Sequence, residues 1–383
     1  MELEQPYSMI SELTTEWKNY KTLSINGKKR SLHEWRAHAQ QQLQEGYGMG
    51  ELEEILEFVV DWSNTKDWIQ ARTSGSTGRP KNIKIKKEHI LASALRTLNF
   101  LDLKPENSAL LCMPNKFIGG KMMIARSIIG ALDLYIAEST SLPEIPEGKS
   151  IDFAALVPLQ LFNITEDAEA TERWKKVSKI IVGGGQVDPR LEERTKDWPN
   201  EIYESFGMTE TISHVALRRV NGPGERMPFK VLEGIEIEAD ERGCLVLKSE
   251  LLPDNPLITN DIVKIEDETS FHWIGRADNM INSGGVKIIP EVIEKLVKPM
   301  LNTKFFFAGM PDEKLGELVV LVIEGQALSE DDQNELTEDL KVALHKYELP
   351  KDIHYVDAFE ETENGKLHRK NTLKELKSKL AKA

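Results

Sequence analysis

Thr73–Lys81 reads Thr-Ser-Gly-Ser-Thr-Gly-Arg-Pro-Lys, so hydroxyls, glycines and a lysine share one short stretch. Glycines let main-chain N–H groups close on an anion. Ser74, Ser76 and Thr77 add donors, and Lys81 adds a point charge. The string is not GxxxxGK[ST], which separates it from the P-loop of that NTPase class. A polar turn uses the same residue types, but these residues in this order weaken that reading. A second charged group stands out. Arg126 interrupts the apolar stretch KMMIARSIIGALDLYIA, five residues after Lys121. A buried arginine needs an anionic partner. That partner is either a ligand or an acid of the protein itself.

These groups need a scaffold. Trp68–Thr73 has strand character, and Ile83 and Ile85 alternate with polar neighbours as in a strand. Glu88–Phe100 reads as a helix. Ala109–Met113, Leu134–Ala137, Phe153–Val157 and Lys179–Val182 are apolar runs of strand length separated by helical patterns. That alternation predicts an α/β layer architecture. Residues 1–67 read as mostly helical, a packing subdomain with Trp17, Trp35 and Trp62 as anchors. From Phe229 to Ile274 short strands joined by turns predict a small β subdomain. The tail alternates helices (Glu291–Leu301, Glu330–His345) with strands (Lys304–Ala308, Leu318–Ile323, Ile353–Val356), an α+β module ending in a Lys-rich amphipathic helix. The expected division is 1–277 for the larger α/β domain and 278–383 for the smaller one.

Composition narrows the classes of function. The chain has 383 residues and a formal net charge of −14. An acidic chain repels phosphodiester polymers and anionic membranes, which argues against nucleic-acid or lipid-surface partners. No stretch is long and apolar enough for a membrane span. The acidic N-terminus lacks the pattern of a secretory signal. Cys112 and Cys244 lie far apart in apolar surroundings and form no CxxC pair, so two reduced core thiols in a cytoplasmic protein are expected.

Five segments together carry a family resemblance. TSGSTGRPK (Thr73–Lys81), VGGGQVDP (Val182–Pro189), YESFGMTET (Tyr203–Thr211), GRADNMINSGGVKI (Gly275–Ile288) and NGKLHRKNTL (Asn364–Leu373) occur in this order. They resemble the motifs of the adenylate-forming superfamily: acyl- and aryl-CoA synthetases, nonribosomal adenylation domains and luciferases. The resemblance spans residues 68–375 and implies a large N-terminal α/β domain with a small β subdomain, followed by a mobile C-terminal lid. It implies ATP and Mg²⁺ as cofactors, CoA as co-substrate and a small carboxylic acid as substrate; a homodimer is allowed.

The resemblance also implies roles. Thr73, Ser74, Gly75, Ser76, Thr77, Gly78 and Lys81 would grip the β- and γ-phosphates. Thr209 would touch phosphate, and Glu210 would hold Mg²⁺, a hard ion suited to a carboxylate oxygen. Gly183, Gly184 and Gly185 leave room for adenine against main chain, with Tyr203 to stack on it. Asp261 would take the ribose hydroxyls, although Asn260 replaces the glycine usual before it. Arg276 would reach ribose or phosphate. Lys366 would be the mobile lysine bridging the substrate carboxylate and the α-phosphate. Asp278 falls at the family's hinge, where a turn or helix cap is an equal reading. Ser283, Gly284, Gly285 and Lys287 would meet the pantetheine arm of CoA.

Met113–Ala131 looks most like the o-succinylbenzoate–CoA ligases of menaquinone biosynthesis, in a shortened chain. Phe117 stands where many such enzymes have histidine. Arg126, with Lys121 if a helix starts near it, would read the substrate's second carboxylate; Gly207 and His214 would border the acyl pocket, with a structural histidine capping the local helix an equal reading of His214. Two alternatives stay open: a ligase or carrier-loading adenylation enzyme for another aryl or acyl acid, and a non-catalytic scaffold. The presence of Lys81, Glu210, Asp261, Arg276 and Lys366 argues against the scaffold.

Overall fold

The fold is that of a computed structural model of the chain. The structure describes residues 17–44, 50–72, 82–222, 224, 226–361 and 367–380. The described residues divide into two compact units. The first draws on the described residues within 17–236 and on 247–257; the second draws on 237–246 and on the described residues within 258–380. The second unit therefore gathers strands that precede residue 278.

The first unit is built on a sheet. Its neighbouring strands, from one side to the other, are Phe229–Val231, His214–Arg219, Glu201–Gly207, Lys179–Val182, Phe153–Leu156, Ser108–Leu111, Asp133–Ile136, Thr22–Ile25 and Lys28–Ser31. From Glu201–Gly207 to Thr22–Ile25 every pairing is parallel. Side chains alternate between the two faces of a strand. Ala109 and Leu111 accordingly join one core with Phe58, Trp62, Ile90 and Met122, while Leu110 and Cys112 join another with Trp174, Ile180 and Leu161. Burial on both faces explains why these strands read as continuous apolar runs.

The described part of residues 1–67 is mostly helical, as expected, and adds one feature the sequence reading did not contain. Helices Leu32–Gln44 and Glu51–Ser63 are present, but a hairpin, Thr22–Ile25 with Lys28–Ser31, comes before them. Asn26 and Gly27 both have positive φ (50° and 77°), the two-residue turn that matches strand twist. Its first strand pairs in parallel with Asp133–Ile136 and so belongs to the main sheet.

In the second unit, Leu257–Asp267 and Ser270–Arg276 form an antiparallel pair. A further sheet is made of Val286–Ile288, Ile281–Ser283, Gly316–Glu324 and Phe305–Asp312, with Asp352–Val356 alongside Gly316–Glu324. Phe307, Leu321 and Ile323 pack on one face with helices Pro290–Val297 and Glu330–Ala343. Phe306, Val320 and Val322 pack on the other with Leu376 of the Lys-rich helix Arg369–Leu380. Among the described residues no helix is long and apolar enough to cross a membrane. Both cysteines are buried and free, and burial pushes the Cys112 thiol up to about 12.

Candidate active site

In the first unit the chain leaves strand Lys179–Val182 directly into Gly183–Gly185. A Cβ on Gly183 would lie 2.7 Å from Ser205 Oγ, and Gly184 has φ of 82°, so the glycines make a bare strip of main chain. The segment beyond it is fixed by Glu204, whose Oε1 accepts from the Val187 N–H at 2.9 Å while Oε2 accepts from Arg218 Nε at 2.9 Å. Tyr203 is on the same strand. Its ring meets Phe100 edge-on at 5.5 Å, and its hydroxyl donates to Glu201 at 2.8 Å. Burial lifts that hydroxyl to about 12.

The strand ends at Gly207, where a Cβ would lie 2.5 Å from His214 Cα. Thr209–Thr211 then form one 3-10 turn, tied by the Thr211 hydroxyl to the Met208 N–H at 2.9 Å. Glu210 is exposed on this turn. Among the described residues no cluster of three His, Cys, Asp or Glu could cage a metal. Mg²⁺ is usually held by one or two carboxylates plus substrate phosphates, so a single carboxylate such as Glu210 fits that ion.

Arg126 lies on helix Ile118–Ile129, which is regular from its first turn. Gly120 makes the entry compact, since a Cβ there would meet the Pro114 carbonyl oxygen at 2.6 Å. Five residues at 3.6 per turn put Lys121 and Arg126 roughly 140° apart around the axis. The structure does not bring them together. Lys121 faces Asp61, Glu57 and Glu54 and stands 5.9 Å from the Phe58 ring; burial lowers its pKa while these acids raise it. Phe117 caps the helix start, with Lys116 at 5.2 Å from its ring.

Arg126 is only 3% exposed. Its Nη2 donates to Ser213 Oγ at 3.0 Å and its Nη1 points at Met123 Sδ at 3.9 Å, while Nε has no partner. Burial alone brings the guanidinium down to about 9, with no carboxylate among the described residues opposing it. It is therefore still a cation at neutral pH.

His214 lies beside it. Thr97 donates its only hydroxyl hydrogen to the Ser93 carbonyl at 3.0 Å, so it offers the His214 Nε2, 2.9 Å away, a lone pair. Nε2 thus carries the hydrogen, and the bare Nδ1 faces Ser213 Oγ at 3.5 Å. Burial, then the Arg126 charge, hold the ring well below its usual pKa and keep it neutral. Ser213 and Thr97 were not singled out from sequence. Ser213 could have been, as the hydroxyl directly before His214.

The second unit holds Asp261, Arg276 and Asp278. Asp261 is buried and accepts from the Trp273 indole N–H at 2.9 Å. Arg276 Nη1 is 3.4 Å from Asp261 Oδ2, and Arg276 grips Asp278 with Nε at 2.9 Å and Nη2 at 3.2 Å. Burial raises Asp261 above its ordinary value. Burial works the same way on Asp278, but the Arg276 hydrogen bond and charge outweigh it and bring that group down. Asn260 lies in regular strand without positive φ and accepts from Arg242 Nη1 at 3.1 Å, so no glycine is needed before Asp261. Ser283–Lys287 form a tight hairpin: Gly284 and Gly285 have φ of 58° and 83°, and Lys287 is exposed. Thr73–Lys81 and Lys366 lie outside the described residues.

Residues 72–236 match the AMP-binding enzyme family. An acyl-CoA synthetase (AMP-forming)/AMP-acid ligase II-like protein of known structure from Dyadobacter fermentans is 34% identical, with a TM-score of 0.60 over 89% of this chain and 98% of its own. The chain belongs to the AMP-binding enzymes. A 2-succinylbenzoate–CoA ligase from Listeria monocytogenes is similar at 26% identity over 84% of this chain and 73% of its own. The O-succinylbenzoate coenzyme A synthetase of Bacillus subtilis, solved with ATP and magnesium ion, shares the fold: 18% identity, TM-score 0.66, 91% of this chain and 83% of that one. The α/β architecture expected for this enzyme class is thereby established.

Proposed function

We propose that this AMP-binding enzyme is an ATP-dependent acid–CoA ligase acting on o-succinylbenzoate in menaquinone biosynthesis. The observation that carries the choice of acid is Arg126. A buried guanidinium with no counter-ion among the described residues is costly. An aromatic diacid brings a second carboxylate, which the reaction does not consume, and that carboxylate would supply the missing charge. Ser213, fixed between Arg126 and the neutral His214, would be the adjoining donor. Relatives named for the same acid support the reading.

The chemistry has two steps. A substrate carboxylate oxygen attacks the α-phosphorus of ATP; the bond to the β-phosphate bridging oxygen breaks and pyrophosphate leaves. The thiol sulfur of CoA then attacks the acyl carbon of the adenylate; the C–O bond to AMP breaks and the thiol proton passes to solvent. The first step joins two anions, so fixed positive charge and dipoles lower its barrier. Ser74, Ser76, Thr77, Thr209 and Lys81 would hold the triphosphate. Mg²⁺ held by Glu210 and phosphate oxygens would neutralise the departing pyrophosphate. Gly183–Gly185 would seat adenine, with Tyr203 nearby, and Asp261 and Arg276 would hold the ribose. Lys366 would bridge carboxylate and α-phosphate in the first step. In this reading residues 1–277 bind ATP and acid, while 278–383, turning at Asp278, withdraw Lys366 and present Ser283–Lys287 to CoA. We place the enzyme in the cytoplasm, where its two thiols stay reduced; a homodimer is compatible with the reading.

The test is an acid panel with ATP, Mg²⁺ and CoA, read as CoA thioester by mass. The diacid should give the dominant product. A simple benzoate or fatty acid reacting while o-succinylbenzoate does not would overturn the choice of acid.

A further inference from the structure

The acid read as the ribose ligand is not free to point where it likes. Asp261 and Arg276 are direct partners across the antiparallel pair, and Ile262 pairs with Gly275. Regular register would next pair Val263 with Ile274 and Lys264 with Trp273, placing Trp273 on the face opposite Asp261. Instead the register shifts, and Val263 pairs with Trp273. Ile274 is the extra residue of a bulge, and a bulge re-aims the side chains beyond it. Here it carries the indole onto the face of Asp261, where Nε1 meets Oδ1 at 2.9 Å.

Other neighbours do less to hold that carboxylate. Arg276 reaches Oδ2 only at 3.4 Å because its Nε and Nη2 are committed to Asp278. Asp278 and Glu291 add negative charge nearby, and the Cys244 thiol faces Asp261 from the adjacent strand. Among the described residues Trp273 supplies the one short, well-aimed side-chain donor to that carboxylate. The second oxygen, met only by the long Arg276 contact, and the remaining lone pairs are left for a pair of hydroxyl donors.

We propose that Trp273 is a positioning residue for nucleotide, its indole N–H fixing the Asp261 carboxylate in the orientation that accepts the ribose hydroxyls. The inference rests on the reading of Asp261 as the ribose ligand. A role of this kind has a signature that simple packing lacks: its loss matters only for a nucleotide that has ribose hydroxyls.

The experiment compares Mg²⁺-ATP with Mg²⁺-2′,3′-dideoxy-ATP, by calorimetric affinity, for the wild type and for W273F, W273H and D261N. Thermal melts confirm folding. The wild type should prefer ATP. W273F should weaken ATP about tenfold, the effect of losing a hydrogen bond to a charged group, and leave dideoxy-ATP unchanged. W273H, which keeps a ring N–H, should recover part of the preference; should W273F fail to fold, W273H decides, with ATP weakened less than in D261N and dideoxy-ATP unchanged. Adding W273F to D261N should cost nothing further. Equal weakening of both nucleotides by W273F would make Trp273 a packing residue and overturn the proposal, with the role of Asp261 intact. A wild type that binds both nucleotides equally would remove the ribose role of Asp261 and the proposal with it. A wild type that binds neither would overturn the ATP-ligase reading itself.

Discussion

Arg126 Nη2 lies 3.0 Å from Ser213 Oγ, and no carboxylate among the described residues answers its charge. A protein keeps such a cation at a stability cost unless a ligand completes it. Replacing Arg126 with Met should leave the melting temperature unchanged or higher. R126A should raise KM for the diacid about ten- to a hundredfold, in line with lost hydrogen bonds to a charged group, and leave KM for ATP near wild type. Steady-state kinetics with each substrate varied in turn checks this; an unchanged diacid KM would remove Arg126 from the acyl pocket.

His214 is held neutral between Thr97 and Ser213. It should therefore contribute no ionisation to the pH profile of kcat/KM between pH 5 and 8. H214Q should keep the profile's shape while raising KM for the diacid. Nitrogen-15 shifts of the ring should show hydrogen on Nε2 throughout that range. A limb near the usual histidine pKa that vanishes in H214Q would contradict the structure.

Asp261 gives the opposite case. Burial lifts its folded-state pKa above the unfolded value. The stability it contributes when protonated is present below the unfolded value and is lost as pH rises through the raised one. Ribose binding needs the ionised form and is lost as pH falls through the same window. As pH rises through the raised value, affinity for ATP should thus increase while the Asp261 contribution to stability falls. D261N should abolish both trends. Calorimetry and thermal melts over an acid pH series measure them together.

Lys366 belongs to adenylation alone in the proposed division of labour. K366A should block pyrophosphate release by several orders of magnitude. Thioester formation from supplied acyl-adenylate and CoA should stay within a few-fold of wild type. Equal loss of both half-reactions would refute the assignment.

The buried strands were legible because their sheet is covered on both faces. Lys179–Val182 has its expected bounds, and Phe153–Leu156 differs by one residue. The hairpin at Thr22–Ser31 was missed, although Ile-Asn-Gly-Lys carries a strong turn signal; polar Lys28, Lys29 and Arg30 hid the second strand. Arg126 could be flagged because a lone charge interrupts an apolar run. Its separation from Lys121 depended on where the helix begins, and a glycine pair obscures that point. The Trp273 contact was not legible at all. Alternation places Trp273 and Asp261 on opposite faces, and one bulged residue reverses the answer.

That same early hairpin has an effect on behaviour in solution. Without Thr22–Ile25, strand Asp133–Ile136 would end the sheet with open amides and carbonyls, a template for another molecule's strand. With it, the outermost strand is Lys28–Ser31, whose two lysines and arginine repel a like margin. A few charged residues on a short edge strand thus guard the enzyme against edge-to-edge stacking at high concentration.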